Sequence, residues 1–228
     1  MTGPSNPSSI DCARCQSRSQ NPLCSVEGVP DSVWQTRTTS GYKAGQTIFY
    51  AGNEPLGLYT IQTGLVKLET VSPDGSAHTL RLMGPGQMLG YRALFAGETY
   101  QATAIAVEDV RLCFVPRGPL MAVVGEKPQV AMNLLKRLSE DLRIAEEKWV
   151  TQVDKDAAAR VAEALLFLND HFKDQAWTRR EVAQWAGTTP ETVMRCLAQF
   201  ETEGWVQPEG RVYHIRDREK LFKKSQGT

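Results

Sequence analysis

The sequence predicts an α+β protein: an N-terminal β-barrel, then a long helix, then a small C-terminal unit built around a helix-turn-helix with a hairpin wing. Three observations carry that expectation. Across 40–117, short β-branched and aromatic runs (IFY, LYTI, LVKL, RLCFV) alternate with glycine-containing turns, the pattern of a barrel or sandwich. After Gly125 the glycines stop, and apolar residues recur at helical spacing as far as Trp149. Beyond 154, capped helical segments and the hairpin-like VQPEGRVYHI close the chain. The expected divisions are 1–30, a cysteine-bearing arm; 31–125, the barrel; 126–153, the long helix; and 154–228, the C-terminal unit.

Composition narrows the function classes. Lys plus Arg number 26 and Asp plus Glu number 26, so any basic surface for nucleic acid is local rather than global. No apolar run reaches the roughly eighteen residues of a membrane span. The opening MTGPSNPSSI has neither the basic nor the apolar region of a secretory signal. The expected location is the cytoplasm, where stable disulfides are rare.

Residues 1–30 are rich in Ser, Pro, Gly and Asn and show little periodicity. Such a segment has too little apolar surface to order by itself. Only a ligand held by Cys12, Cys15 and Cys24 would give it a reason to order. They are disulfide partners, metal ligands or packing residues, and the expected compartment favours metal binding or redox sensing. Cys113, far downstream in RLCFVPR, is a fourth candidate; taken alone it reads as a small buried strand residue.

In the long helix, Pro128 suits a first helical turn. Ala131, Leu135, Leu138, Leu142, Ala145 and Trp149 follow a 4-3-4-3-4 spacing, the seam of a two-stranded coiled coil. Leu135, Leu138, Leu142, Ala145 and Trp149 are therefore the expected dimerisation residues; the plainer alternative is a helix packed on its own barrel. Glu140, Asp141, Glu146 and Glu147 flank the seam and would repel across a dimer. Ala145 is small and neutral at a position where a charge would oppose pairing.

The C-terminal unit carries the most specific chemistry. Thr178 and Glu181, three apart, form a capping box for a first helix that ends at Gly187. A second helix starts at Thr189-Pro190. Ala183, Gly187 and Val193 supply the small residue, turn glycine and buried aliphatic that let two helices cross closely. With Val193, Leu197 and Phe200 inward, Thr189, Glu191, Thr192 and Arg195 face out, with Met194 at the edge. In a major groove Arg grips guanine O6/N7 and Glu accepts from cytosine N4. A surface ion pair is the alternative at the same i, i+4 spacing. Arg211 in the hairpin and the basic stretch RDREKLFKK are candidates for phosphate contacts, with plain solvated charge as their alternative.

The order barrel, long helix, winged helix-turn-helix resembles the cyclic-AMP-receptor-protein/FNR superfamily of bacterial transcription regulators. The resemblance covers about residues 30–220 and rests most on GLYTIQTGLVKLETVSPDGSAHTLRLMGPGQMLG in the barrel and PETVMRCLAQFETEG in the second helix. It implies a cyclic-nucleotide-binding-like jelly roll and a homodimer on near-palindromic double-stranded DNA, with RNA polymerase as a further partner. Glu191 and Arg195 match the family pair that reads a TGA-type half-site. Met194 stands where FNR has Ser, and a thioether can touch a thymine methyl but cannot donate a hydrogen bond.

The resemblance also bears on the signal. Where cyclic-nucleotide members hold ribose with Gly-Glu-Leu and phosphate with Arg-Ser, this chain has Gly90-Tyr91-Arg92 and Gln101-Ala102. A cyclic phosphate lacks its charge partner there, so a cyclic nucleotide is not the expected ligand. FNR proteins carry three N-terminal cysteines and one more in the barrel shortly before a proline, and Cys113, three residues before Pro116, looks like that fourth one. The resemblance therefore implies a [4Fe–4S] cluster on Cys12, Cys15, Cys24 and Cys113, sensing oxygen, nitric oxide or redox state. The C-x2-C-x8-C spacing is longer than that of enteric FNR proteins, and zinc binding or a thiol switch remain alternatives on the same residues. His78, His171 and His214 are scattered, and no triad, P-loop or HExxH pattern is present, so no enzymatic activity is expected.

Overall fold

The structure is a computed structural model that describes residues 15, 18–27, 29, 31–172, 176–210 and 212–227. Cys12 and Arg211 lie outside the described residues. The chain forms two compact units, Met1–Thr70 with Leu80–Asp141, and Val71–Thr79 with Leu142–Thr228.

A 3-10 turn at Arg18–Gln20 and helix α1 (Asp31–Thr36) precede the sheets. The strands are β1 (Thr38–Tyr42), β2 (Thr47–Phe49), β3 (Gly57–Thr63), β4 (Val66–Val71), β5 (Ala77–Met83), β6 (Met88–Leu89), β7 (Thr103–Ala106) and β8 (Val110–Pro116). They form two four-stranded sheets, ordered β1-β8-β3-β6 and β2-β7-β4-β5. Helix α2 (Tyr91–Ala96) follows β6, and α3 (Arg117–Glu126) follows β8.

Alternation along β3 and β8 separates two cores. Ile61 and Leu112 face between the sheets, with Phe49, Val66, Leu89, Tyr100 and Ala104. Leu58 and Val115, on the other face, join Leu23, Val26, Val29, Val33, Leu120, Val123, Val130 and Leu134. The second core is made by the helices and by Leu23, Val26 and Val29 of the arm, which bury against the β1-β8-β3-β6 sheet without need of a ligand.

Helix α4 (Pro128–Asp154) has 27 residues and is about 40 Å long. Its first half buries Val130 and Leu134. In the second unit, α5 (Ala157–His171) is capped by Asp156, whose carboxylate accepts from the Ala159 N–H. Helix α6 (Arg179–Ala186) has the expected Thr178/Glu181 capping box and ends at Gly187 in the left-handed region, φ 62°. Helix α7 (Pro190–Thr202) is capped by Thr189, with proline in its first turn. The wing is the antiparallel pair β9 (Val206–Glu209) and β10 (Val212–Ile215). Helix α8 (Arg218–Ser225) closes the chain. Among the described residues no helix is long and apolar enough to cross a membrane.

Candidate functional site

The outward face of α7 is the first candidate. Val193, Cys196, Leu197 and Phe200 are buried, and Phe200 stacks on Trp205 with ring centroids 5.2 Å apart. That anchoring turns Thr189, Glu191, Met194 and Arg195 to the surface, with Thr192 half-buried. The Glu191 carboxyl is held below the usual carboxylate range by its own backbone N–H and by the Thr189 hydroxyl. It therefore stays ionised and acts only as an acceptor, which suits cytosine N4 and opposes the oxygen edges of other bases. Burial raises the Cys196 thiol above its ordinary pKa, in keeping with a packing role.

The structure adds a contact that the sequence did not announce. The Arg179 guanidinium, at the start of α6, donates to the Tyr213 hydroxyl on the wing at 2.8 and 3.2 Å. Thirty-four residues separate the two, and no local pattern links them. The basic C-terminal stretch is largely committed within the chain. Arg218 makes two hydrogen bonds to Asp170 at 2.6 and 2.7 Å, Lys224 pairs with Asp156 at 3.1 Å, and Arg216 donates to Gln207 at 2.8 Å. These contacts tie α8 and the wing to the unit itself.

The second candidate is the cysteine region. Cys113 lies on β8 directly opposite Thr39 of β1 and Thr60 of β3. Directly paired residues project to the same face of a sheet, so Cys113 shares its face with Thr60. Asn21, itself buried, donates from Nδ2 to Thr60 Oγ1 at 2.9 Å. Its Oδ1 accepts from the N–H groups of Leu23 and Cys24, both at 2.9 Å. Asn21 thus shapes the turn that carries Cys24 and pins it to the cross-strand neighbour of Cys113. Asn133 of α4 donates to the Pro22 carbonyl at 3.1 Å, tying the same turn to the long helix. Cys15, Cys24 and Cys113 are all half-buried. Among the described residues no three His, Cys, Asp or Glu side chains are gathered closely enough to hold a single metal ion.

The third candidate is the exposed face of α4. Leu135 (55% exposed), Leu142 (60%) and Trp149 (70%) lie on it, joined by Met132 and Val153 (66%); Ala145 is exposed as well. Leu138 differs: it is partly buried against its own unit's core. The second row of exposed positions is Met132, Ser139, Glu146 and Val153, seven apart. This places Glu146 beside the Leu142–Trp149 row. Asp141, expected to flank the seam, is instead buried, 2.5 Å from Arg81 and 3.2 Å from Arg137. Glu147 pairs with Arg143 one turn back.

The positions that correspond to a nucleotide pocket are also placed. Gly90 is left-handed (φ 84°) at the start of α2. A side chain there would meet the Tyr100 ring at 2.9 Å, and Tyr100 stacks on Phe49 at 3.8 Å. Tyr91 and Ala102 are buried, whereas Arg92 and Gln101 are exposed.

Residues 40–127 match the cyclic nucleotide-binding domain, and residues 159–223 match the Crp-like helix-turn-helix domain. The chain is 31% identical over 193 residues to the CRP-like cAMP-activated global transcriptional regulator of Mycobacterium tuberculosis, covering 81% of this chain and 86% of that protein. The chain belongs to the CRP/FNR family of transcription regulators. It is a DNA-binding transcription regulator of that type, from a family of regulators rather than enzymes. A further CRP/FNR relative, the fumarate and nitrate reduction regulatory protein of Escherichia coli, is 25% identical over 186 residues, covering 78% of this chain and 74% of its own. Among solved structures, a CRP/FNR-family transcriptional regulator from Thermus thermophilus matches with a TM-score of 0.71 at 30% identity, covering 82% of this chain and 98% of that one.

Proposed function

We propose that this CRP/FNR regulator is a cytoplasmic sensor of oxygen, nitric oxide or redox state. An iron–sulfur cluster on Cys12, Cys15, Cys24 and Cys113 would hold the sensing chemistry, and a homodimer on near-palindromic, TGA-type DNA would deliver the response. The observation that carries the reading is the Asn21 bridge: one carboxamide shapes the Cys24 turn and bonds the residue paired with Cys113. Soft thiolates suit iron–sulfur ligation, and the bound cluster would supply redox- and gas-sensitive chemistry. This chain's own part is to seat the arm against β3 through Asn21 and against α4 through Asn133. Loss of the arm's seat then reaches the dimerisation helix directly.

On DNA, Glu191 and Arg195 read the core bases, Met194 meets a flanking thymine methyl, and Thr189, Thr192 and Arg211 contribute around them. Dimerisation uses Leu135, Leu142, Ala145 and Trp149, with Leu138 contributing less because it packs on its own core. RNA polymerase is the further protein partner.

The test is iron and acid-labile sulfide content of protein purified without oxygen, beside Cys113→Ala. About four irons and four sulfides per chain, lost in the variant, are expected for a four-iron cluster. Zinc in place of iron, or thiols that oxidise reversibly without metal, would replace the cluster reading with the zinc or thiol-switch alternative on the same cysteines.

A second reading is favoured by the Mycobacterium relative, which is named as cAMP-activated. The barrel would then bind a cyclic nucleotide, although Arg92 points to solvent and the core between the sheets is lined by Phe49, Ile61, Leu89 and Tyr100. Tighter DNA binding by metal-free protein on adding cyclic AMP would establish this reading over the first.

A further inference from the structure

The end of α6 is gripped by three side chains that the sequence did not mark. Arg160 of α5 donates from Nε to the Ala186 carbonyl at 3.0 Å, from Nη2 to the Gly187 carbonyl at 3.4 Å and from Nη1 to the Lys155 carbonyl at 2.7 Å. One guanidinium thus joins the turn of the helix-turn-helix to the residue that follows α4. It sits at the carbonyl end of α6, where a cation is favoured. Gln152 of α4 donates to the same Ala186 carbonyl at 3.4 Å, and its amide fills the space that a side chain at Gly187 would need. One turn earlier, the Lys148 ammonium lies 4.1 Å from the centre of the Trp185 ring, a cation–π contact, and donates to the Thr79 carbonyl at 2.9 Å.

Lys148 and Gln152 are four residues apart and so share one stripe of α4. Trp149 and Val153, each one residue further on, lie on the neighbouring exposed stripe. The same two helical turns therefore hold the helix-turn-helix on one stripe and present the dimer seam on the next.

We infer that Lys148, Gln152 and Arg160 are positioning residues that fix the separation of the two recognition helices, and hence the spacing between DNA half-sites that the protein accepts. The inference rests on the homodimer reading. Half-site spacing is set by the geometry between the two reading helices, whereas base choice is set by the side chains on them. Loosening the grip must then affect spacing and leave base preference alone.

The experiment is binding-site selection on DNA carrying two half-sites with a spacer of varied length, using the full chain. Wild-type protein is expected to select one spacing. The double variant Gln152→Met, Arg160→Met keeps side-chain length and removes the donors. It is expected to accept spacings one or two base pairs either side, to lose about tenfold in affinity at the wild-type spacing, and to keep the same half-site bases. Lys148→Met is expected to shift the same way more weakly, with Lys148→Arg restoring the wild-type pattern because a guanidinium keeps the contact with Trp185. These milder variants decide the matter should the double variant unfold. An unchanged spacing profile in folded variants, or lost base preference with spacing retained, would overturn the inference. Wild-type protein binding as one chain on a single half-site would sink the dimer reading, and the inference with it.

Discussion

Helix α7 and the cysteine region reach their geometry by opposite routes. In α7 the cap, the buried stripe and the exposed stripe all lie within fourteen residues, Thr189 to Thr202. Spacing alone therefore decides which side chains face out. In the barrel unit, Cys24 and Cys113 belong to segments far apart in the chain. They are related only through the β3–β8 register and a single carboxamide at Asn21. A helix face can be specified locally, whereas the proposed sensing site draws on segments far apart in the chain.

That contrast can be broken or sharpened by substitution. Phe200→Ala should have the largest effect, since the ring is fully buried and stacked on Trp205. A loss of about 3–5 kcal/mol, read by denaturant unfolding, should unfold the C-terminal unit while leaving the barrel's unfolding transition in place. Arg81→Met should follow. It strips Asp141, only 7% exposed, of its nearer partner, and a loss of about 3 kcal/mol in the barrel unit is expected. A shift confined to the C-terminal unit would show that the pair serves something else.

Arg195→Ala should leave both stabilities unchanged and lower affinity for the specific site by about 1–3 kcal/mol. Binding to random DNA should persist, and equal losses on both DNAs would place Arg195 on phosphate. Glu146→Leu should tighten the dimer by several-fold in sedimentation, because the structure puts this acid, and not only neutral Ala145, beside the exposed Leu142–Trp149 row.

The smallest effect concerns acid. Arg218 holds the Asp170 carboxyl below its usual range, and the Ala159 N–H does so for Asp156, with Lys224 adding to it. A depressed folded pKa stabilises above the unfolded value and is lost as pH falls through the folded one. The contribution of these two carboxylates should thus be constant above about pH 5 and be lost as pH falls below about 4. Arg218→Ala should flatten part of that slope in an acid titration followed by circular dichroism.

What could be read in advance follows the same divide. The Thr178 capping box, the Gly187 turn, Pro128 and Pro190 in first helical turns and most of the outward set on α7 were legible, because each depends on neighbours within one or two turns; Thr192, expected outward, is half-buried, and Met194, expected at the edge, is exposed. The strand runs were legible as a barrel, since alternation and turn spacing are local too. The exposed row of α4 was legible only in part. Both stripes beside Leu135, Leu142 and Trp149 have a seven-residue repeat, and only packing showed that Leu138 belongs to the core while Met132 and Val153 are exposed. Asp141 read as a flanking charge because its partner Arg81 lies sixty residues away. Asn21, Asn133 and Arg160 left no signal, since a side chain that bonds a distant backbone or hydroxyl has no periodicity to betray it.

The most direct test of the sensing account is DNA affinity before and after exposure to air, on one palindromic TGA-type site, for wild-type protein and for Cys113→Ala purified alike without oxygen. Wild-type protein should bind tightly under anaerobic conditions and lose at least tenfold in air, while the variant binds weakly in both. Equal affinity of wild-type protein in both conditions, or an air response that survives in Cys113→Ala, would contradict it.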